Sequence, residues 1–403
     1  MISRNYIKCN ACEQPIMIRV QVGYEKYQAH IFACPGCEES LSITLDLTNP
    51  PFVGLDHDES CAVIDMVAEC TVVNLATGFL IPKDKVSDEK YFPALNFFMQ
   101  PKLRPFMMPN RGNQIVGGLF EGFPGAARAW TPMCRAARFN LKNDADRTIE
   151  HLAKLRKETG FPEASYEGYL FYFVGSFVGK AFREKFFDLL DWCVAIVDKS
   201  PEHIKEFYVE FSGLHKDRVT EYLSVLSDYF ASYTDFEQTL VYARLGLECE
   251  ADGQVSANDF NSTKMFYGNA FEVMGSHLDF FVALNNLDSG RGYNELSQCS
   301  LDKYRQFDKS GRMKALEGVA EISNVIVEYD NMIRNASHHR WFRLSGDRQS
   351  ISYKKSASSM ETILPYSEYS LRCNKMTMQL MLMYLCEVSV IKYIQQKIKA
   401  NWF

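Results

Sequence analysis

The sequence has no surplus of positive charge: across 403 residues, 44 Lys and Arg stand against 50 Asp and Glu, a formal net charge of -6. That balance excludes a protein that coats nucleic acid through bulk electrostatics and confines any nucleic-acid site to a local basic patch. An export signal is missing as well, since no apolar core segment follows the first positive charges and the chain runs straight into Cys9. There is no comfortable membrane span either, because the most apolar stretch, Met376 to Ile391, is broken by Gln379 and Glu387. With 47% hydrophobic and 23% charged residues, long disordered spans are not expected. These absences lead to the expectation of a folded cytoplasmic protein with no membrane partner, and the length implies two or three domains.

Twelve cysteines are present, and four of them form two Cys-x-x-Cys pairs, Cys9/Cys12 and Cys34/Cys37, with 21 residues between the pairs. The other eight are scattered through apolar patterns, which points to one metal site plus reduced core thiols rather than a disulfide framework. Ile16, Ile18, Val20 and Val22 alternate with Met17, Arg19 and Gln21, the pattern of a half-buried strand, and His30 to Ala33 leads back to the second pair. Each pair is thereby expected on a tight turn at one end of a hairpin. Four thiolates so gathered form a closed tetrahedral zinc site, a zinc ribbon, with structural Zn2+ as its cofactor. Such binding supplies on the order of 10 to 16 kcal/mol, enough to hold a module with little core of its own. The ribbon reads equally as a staple, a dimer contact or a reader of nucleic acid or protein.

A further strand is expected over Leu41 to Leu47, ended by Asn49-Pro50-Pro51. Cys70 to Ile81 reads as a strand or a short helix, and Asp56-His57-Asp58 as a surface turn. The glycines Gly117, Gly118, Gly122 and Gly125 lack the Gly-Lys-Ser/Thr of a phosphate loop. Helical patterning is expected from about Asn143 onward, with Gly175 and Gly179 admitting close neighbours and Pro201 starting a helix. Leu316, Val319, Ile322, Val325, Tyr329 and Met332 recur at steps of three and four, predicting one helix over Lys314 to Ile333. Gln349 to Tyr353 and Met360 to Leu364 read as a pair of strands, and Ser367 as the cap of a last helix reaching about Lys399. Met376, Met378, Met381 and Met383 are expected to fill its core.

At the end of that expected helix stands Arg334-Asn335-Ala336-Ser337-His338-His339. RNA carries its own nucleophile, the 2′-hydroxyl, so cutting it requires no metal. A positioned His can move the proton, and an Arg can bind the phosphate and stabilise the developing charge. Arg334, Arg340, Arg343, Arg348, Lys354 and Lys355 surround a single acid, Asp347, and Trp341, Phe342 and Tyr353 interleave with them as bases' stacking partners. The same residues also fit a helix end that complements its dipole beside core aromatics.

The pattern Arg-Asn-x-x-x-His resembles the signature of the HEPN ribonuclease superfamily. The resemblance implies a helical HEPN-like bundle over about residues 215 to 403 that forms a homodimer and brings the motifs of two chains together. It further implies Arg334 as phosphate binder, Asn335 as orienting residue and His339 as acid or base. On an ideal helix His338 lies on the side of Arg334, whereas His339 sits about 140° away, so His338 stays a candidate. Catalysis would need no metal, and host defence, toxin or anti-phage abortive-infection roles with an inhibitor or trigger protein would follow. Some members only bind RNA. The expected architecture is therefore mainly α: a zinc ribbon (1-48), a mixed β/loop segment (49-113), a helical middle segment (114-214) and the HEPN-like domain (215-403).

Overall fold

Apolar alternation along the first 76 residues yields seven strands: β1 (Ile2–Cys9), β2 (Pro15–Gln21), β3 (Tyr27–Ala33), β4 (Ser40–Asp46), β5 (Gly54–His57), β6 (Cys61–Val63) and β7 (Thr71–Ala76). The computed structural model describes the whole chain except Tyr24, Pro50, Pro51, residues 102–125, 161–164, Ala251, 339–341, 355–358 and 402–403, and describes only the backbone of Lys180 and Ala181. Helix accounts for 57% of it and strand for 16%. The glycines Gly117, Gly118, Gly122 and Gly125 lie outside the described residues.

The strands form two sheets, with order β6-β1-β2-β7 and β3-β4-β5. β2 does not return through His30 to Ala33 as one hairpin. It pairs antiparallel with β1, Ile7 opposite Ile16, and parallel with β7, Ile18 opposite Val73, while β3 pairs with β4. Each Cys-x-x-Cys thus turns its own hairpin. β2 is a central strand buried on both faces, not a half-buried one. Arg19 is consequently buried, and its guanidinium donates to Asn74 Oδ1 (2.6 Å) and to the carbonyls of Asp88 and Tyr91. Ile7, Ile16, Ile18, Val20, Phe32, Leu41, Ile43, Leu45, Val73 and Leu75 pack with Cys9, Cys34 and Cys61 in one cluster. The cysteine cluster therefore sits on a real core, in contrast to the core-poor module expected. Of the Cys70 to Ile81 stretch, β7 is strand, and β8 (Ile81–Pro82) pairs with β9 (Gly253–Gln254).

Two compact units partition the chain. The first comprises Met1–Gly125, Ser232–Met265 and Asn335–Asn374, and the second Ala126–Ala231, Phe266–Arg334 and Lys375–Phe403. Residues 215–403, expected as one helical domain, supply segments to both.

In the first unit, β10 (Arg343–Leu344), β11 (Ser350–Tyr353) and β12 (Thr362–Pro365) form an antiparallel sheet, one strand more than the expected pair. Its irregular segment Val255–Asp259 is held by side chains: the Gln349 amide exchanges two bonds with Val255, Gln238 accepts from Ser256 N, and Asp235 accepts from Asn258 N. Ser367 is the second residue of the helix Tyr366–Lys399, so it is not the cap.

In the second unit, Ser165 accepts from Gly168 N to start the helix Tyr166–Lys199, and Pro201 begins the next, Pro201–Ala231. Gly179 breaks the helix, its φ of 73° interrupting helical geometry, and Gly175 has no close neighbour, since a Cβ there would meet nothing within 4 Å among the described residues. Met376, Met378, Met381 and Met383 are buried, as expected. The helix Tyr366–Lys399 is long and apolar enough to cross a membrane, but 72% of its most apolar window is buried inside the protein.

Candidate functional site

The two Cys-x-x-Cys turns have the same backbone. Glu13 and Glu38, each following a second cysteine, adopt left-handed φ values of 60° and 63°. Their amides donate back to the carbonyls of Cys9 and Cys34, both at 2.9 Å. This folds each turn around its sulfurs and points them inward. All four Sγ atoms lie within 4.8 Å of one another, with Cys9 to Cys37 at 3.8 Å and Cys12 to Cys34 at 3.6 Å. A tetrahedron with metal–sulfur bonds of about 2.3 Å has edges of about 3.8 Å, so the cluster has the dimensions to hold a metal ion. Gly36 N donates to Cys34 Sγ at 3.4 Å, and a Cβ on Gly36 would press on Cys12 Sγ at 3.3 Å. Sulfurs this close oppose each other's ionisation. The Glu39 amide lowers the Cys37 thiol, but hydrogen bonding with Cys12, burial and the remaining two thiols push it up to about 12, a crowding that a cation relieves.

The single helix expected over Lys314 to Ile333 is replaced by a 3-10 segment Lys309–Leu316, a short helix Ala320–Val325 and a second short helix Asn331–His338. Gly318 (φ 93°) separates the first two. The β-branched run Val325-Ile326-Val327 then leaves helical geometry, and tertiary bonds take over the backbone: Glu328 N donates to Gln379 Oε1 (2.9 Å) and Asp330 N to the Tyr267 hydroxyl (3.2 Å). Asp330 accepts from Met332 N and Ile333 N and so restarts the helix. Leu316, Ile322 and Val325 are buried as the spacing predicts, whereas Met332 is 42% exposed.

The described part of the motif, Arg334 to His338, therefore ends a short helix and not a long one. Arg334 is bound to Glu272, which also holds Lys309 Nζ at 2.9 Å, and its guanidinium lies 5.9 Å from the centre of the Phe271 ring. Burial pushes the Glu272 carboxyl up, but hydrogen bonds from Lys309 and Arg334 leave it below its ordinary value and thus ionised. Asn335 is half-buried and His338 exposed. His339, Arg340, Trp341 and Lys355 lie outside the described residues.

Much of the remaining basic, aromatic segment is committed elsewhere. Phe342 and Tyr353 are 3% and 4% exposed and pack in a cluster with Phe260, Tyr366 and Tyr369, so neither is open to stack on a base. Arg348 spends its guanidinium on the Ala257 carbonyl, a structural role in place of the expected RNA contact. Arg343 is exposed and Lys354 half-buried.

Two features carry no sequence signature. A cleft of about 400 Å³ opens beside the second cysteine turn, lined by Phe32, Cys34, Pro35, Leu75 and Lys83 among others. In the second unit Arg218 binds Glu387 through two nitrogens (2.9 and 2.8 Å) and Asp279 through the third (2.7 Å). Arg305 joins Asp279 to Glu210, both at 2.8 Å, and the Tyr222 hydroxyl donates to Glu387 at 2.5 Å. His277 Nε2 bonds Glu221 at 2.9 Å. No protein-family model, curated protein sequence or solved structure matches the chain.

Proposed function

We propose that this protein acts on RNA in the cytoplasm as a metal-independent endoribonuclease of HEPN type, with a structural zinc ion in its N-terminal cysteine cluster. Four sulfurs at tetrahedral spacing, with no oxygen or nitrogen ligand and no open position, suit Zn2+ as a staple and not as a catalyst. The observation that carries cleavage is the pattern Arg334-Asn335-x-x-x-His339. In the reaction His339, or His338 one helical turn from Arg334, takes the 2′-hydroxyl proton. The 2′-oxygen attacks phosphorus, the bond to the 5′-oxygen breaks, and that oxygen leaves with a proton. Arg334 binds the phosphate, and one well-placed donor is worth roughly 3 to 4 kcal/mol in comparable sites. Asn335 orients the set. A homodimer through the motif-bearing domain would double these few groups, and a toxin or anti-phage role under an inhibitor or trigger protein follows from the same reading.

A second reading, a non-catalytic RNA- or protein-binding scaffold, is favoured by one observation, the pairing of Arg334 with Glu272. Incubation of the purified protein with total RNA and tRNA in EDTA separates the two. Cutting that leaves 2′,3′-cyclic phosphates and is lost in Arg334→Ala and His339→Ala supports the enzyme. RNA binding without cutting, unaffected by His339→Ala, supports the scaffold.

A further inference from the structure

The helix Ala126–Asn140 contains three arginines and no acid, and the first acid after it is Asp144. In a chain of net charge -6 this is a second local surplus beside that of residues 334–355. Spacing arranges it: Arg128, Arg135, Arg138 and Lys142 stand seven, three and four residues apart. At about 100° per residue the three arginines fall within roughly 80° of one another, and Lys142 follows in the turn after the helix. The opposite face is apolar, with Ala129, Trp130, Met133, Cys134, Ala136 and Ala137 buried.

A short turn, with Asn143 at φ 56°, joins this helix to Ala145–Thr159, which Asp144 caps by accepting from Arg147 N at 3.1 Å. At the tip the half-buried Phe139 ring stacks on His151 at 5.5 Å, with Lys142 and Arg147 at 5.9 and 5.2 Å from its centre. The two helices differ in how their cations are used. On the second, Arg147 and Lys154 pair with Asp144 and Glu150, and Arg128 on the first meets Glu158. Arg135, Arg138 and Lys142 are exposed and form no ion pair among the described residues.

We infer that this helical hairpin is a docking face for the sugar-phosphate backbone of RNA, laid along the row Arg128–Arg135–Arg138–Lys142. The inference rests on the reading that the protein acts on RNA and adds the surface that holds the substrate. The ten residues of helical rise from Arg128 to Arg138 span about 15 Å, the length of about four stacked nucleotides at 3.4 Å each, and Lys142 follows just past the helix end. Arg135, Arg138 and Lys142, exposed and outside any ion pair among the described residues, have strong charge complementarity to phosphate, and Arg128 extends the row while also meeting Glu158. Contacts of these cations to phosphate are independent of sequence. It also places the main electrostatic footprint outside the 334–355 segment, where Arg348 and the aromatics are already engaged.

The test measures binding of an unstructured 20-nucleotide RNA by fluorescence anisotropy across a salt series, using full-length protein. Arg135→Gln/Arg138→Gln/Lys142→Gln should lower the slope of log K against log[NaCl] by about 2, at about 0.7 per lost contact on a single strand. The control Lys199→Gln/Lys205→Gln/Lys303→Gln removes the same charge from other exposed positions of this unit and should leave the slope in place. Wild-type binding with a slope unchanged in the first variant overturns the hairpin assignment and leaves the RNA reading standing. Wild type that binds no RNA overturns both. Equal affinity for a polyglutamate of matching charge overturns the assignment in favour of an acidic protein partner.

Discussion

Replacing Glu387 by Gln keeps the shape of the side chain and removes its charge, leaving Arg218 buried with Asp279 as its remaining carboxylate. Burial pushes the Glu387 carboxyl up, but the Arg218 guanidinium and hydrogen bonds from His277 and Arg218 hold it at about 2, against an ordinary value of 4.5. At 1.36 kcal/mol per unit this favours the buried anion by about 3 kcal/mol, within the 3 to 5 kcal/mol that breaking a buried ion pair costs. Because the folded value is depressed, the stabilisation is fully present above pH 4.5 and is lost as pH falls through 2. In a unit of roughly 200 residues, 3 kcal/mol corresponds to about 6 to 12 °C in Tm. Thermal melts of wild type and Glu387→Gln should therefore differ by about that much at pH 7 and converge as the pH is lowered from 4.5 towards 2. A loss under about 2 °C at pH 7, or a gap that ignores pH, would refute the reasoning. The double variant Arg218→Met/Glu387→Leu should cost less than the sum of its single changes, since it leaves no unpaired charge from that pair.

Elemental analysis should find one zinc per chain, and Cys9→Ser or Cys34→Ser should abolish it and unfold the two small sheets, seen as loss of amide protection over residues 1 to 76. His30 is fully buried, and burial lowers it to about 4. Its neutral form is favoured in the fold, so stability should fall by about 3 kcal/mol as pH drops from 6.5 through 4, and His30→Leu should lack that component in urea melts at the two ends of the range. Glu272→Gln weakens the hold on Arg334, so under the cleavage reading it should tighten RNA binding or speed cutting at low salt. Equal loss of both in Glu272→Gln and Arg334→Ala would instead mark the pair as structural.

The cysteine cluster was legible because ligand spacing is a local requirement: two residues between sulfurs suffice to build each turn. Strand partners were not, since β2 pairs with β7 across more than fifty intervening residues and nothing near Ile18 names Val73 as its neighbour. The spacing of Leu316, Ile322 and Val325 correctly marked buried positions and wrongly marked one helix, because an apolar period reports which side is covered and not whether Gly318 or a β-branched run interrupts the backbone. Arg218 and Glu387 lie 169 residues apart, so their charges read as ordinary surface residues on two unrelated helices. Ala126–Asn140 falls in the expected helical middle segment, but helical patterning was expected only from about Asn143. Its alanines and Trp130 at steps of three and four were the signal that argued for it.

The way the chain is shared between the two units sets an order of events during synthesis. Met1–Gly125 emerges first, yet its unit is complete only once Asn335–Asn374 has followed, and the other unit waits for Lys375–Phe403. Neither can close before roughly nine-tenths of the polypeptide has been made, so apolar surface made early must be kept from wrong partners for most of translation. A nascent chain with this routing needs chaperone occupancy that begins early and lasts until synthesis is nearly finished. Loss of the segment after Asn374 should leave the second unit unable to close and expose its apolar surface.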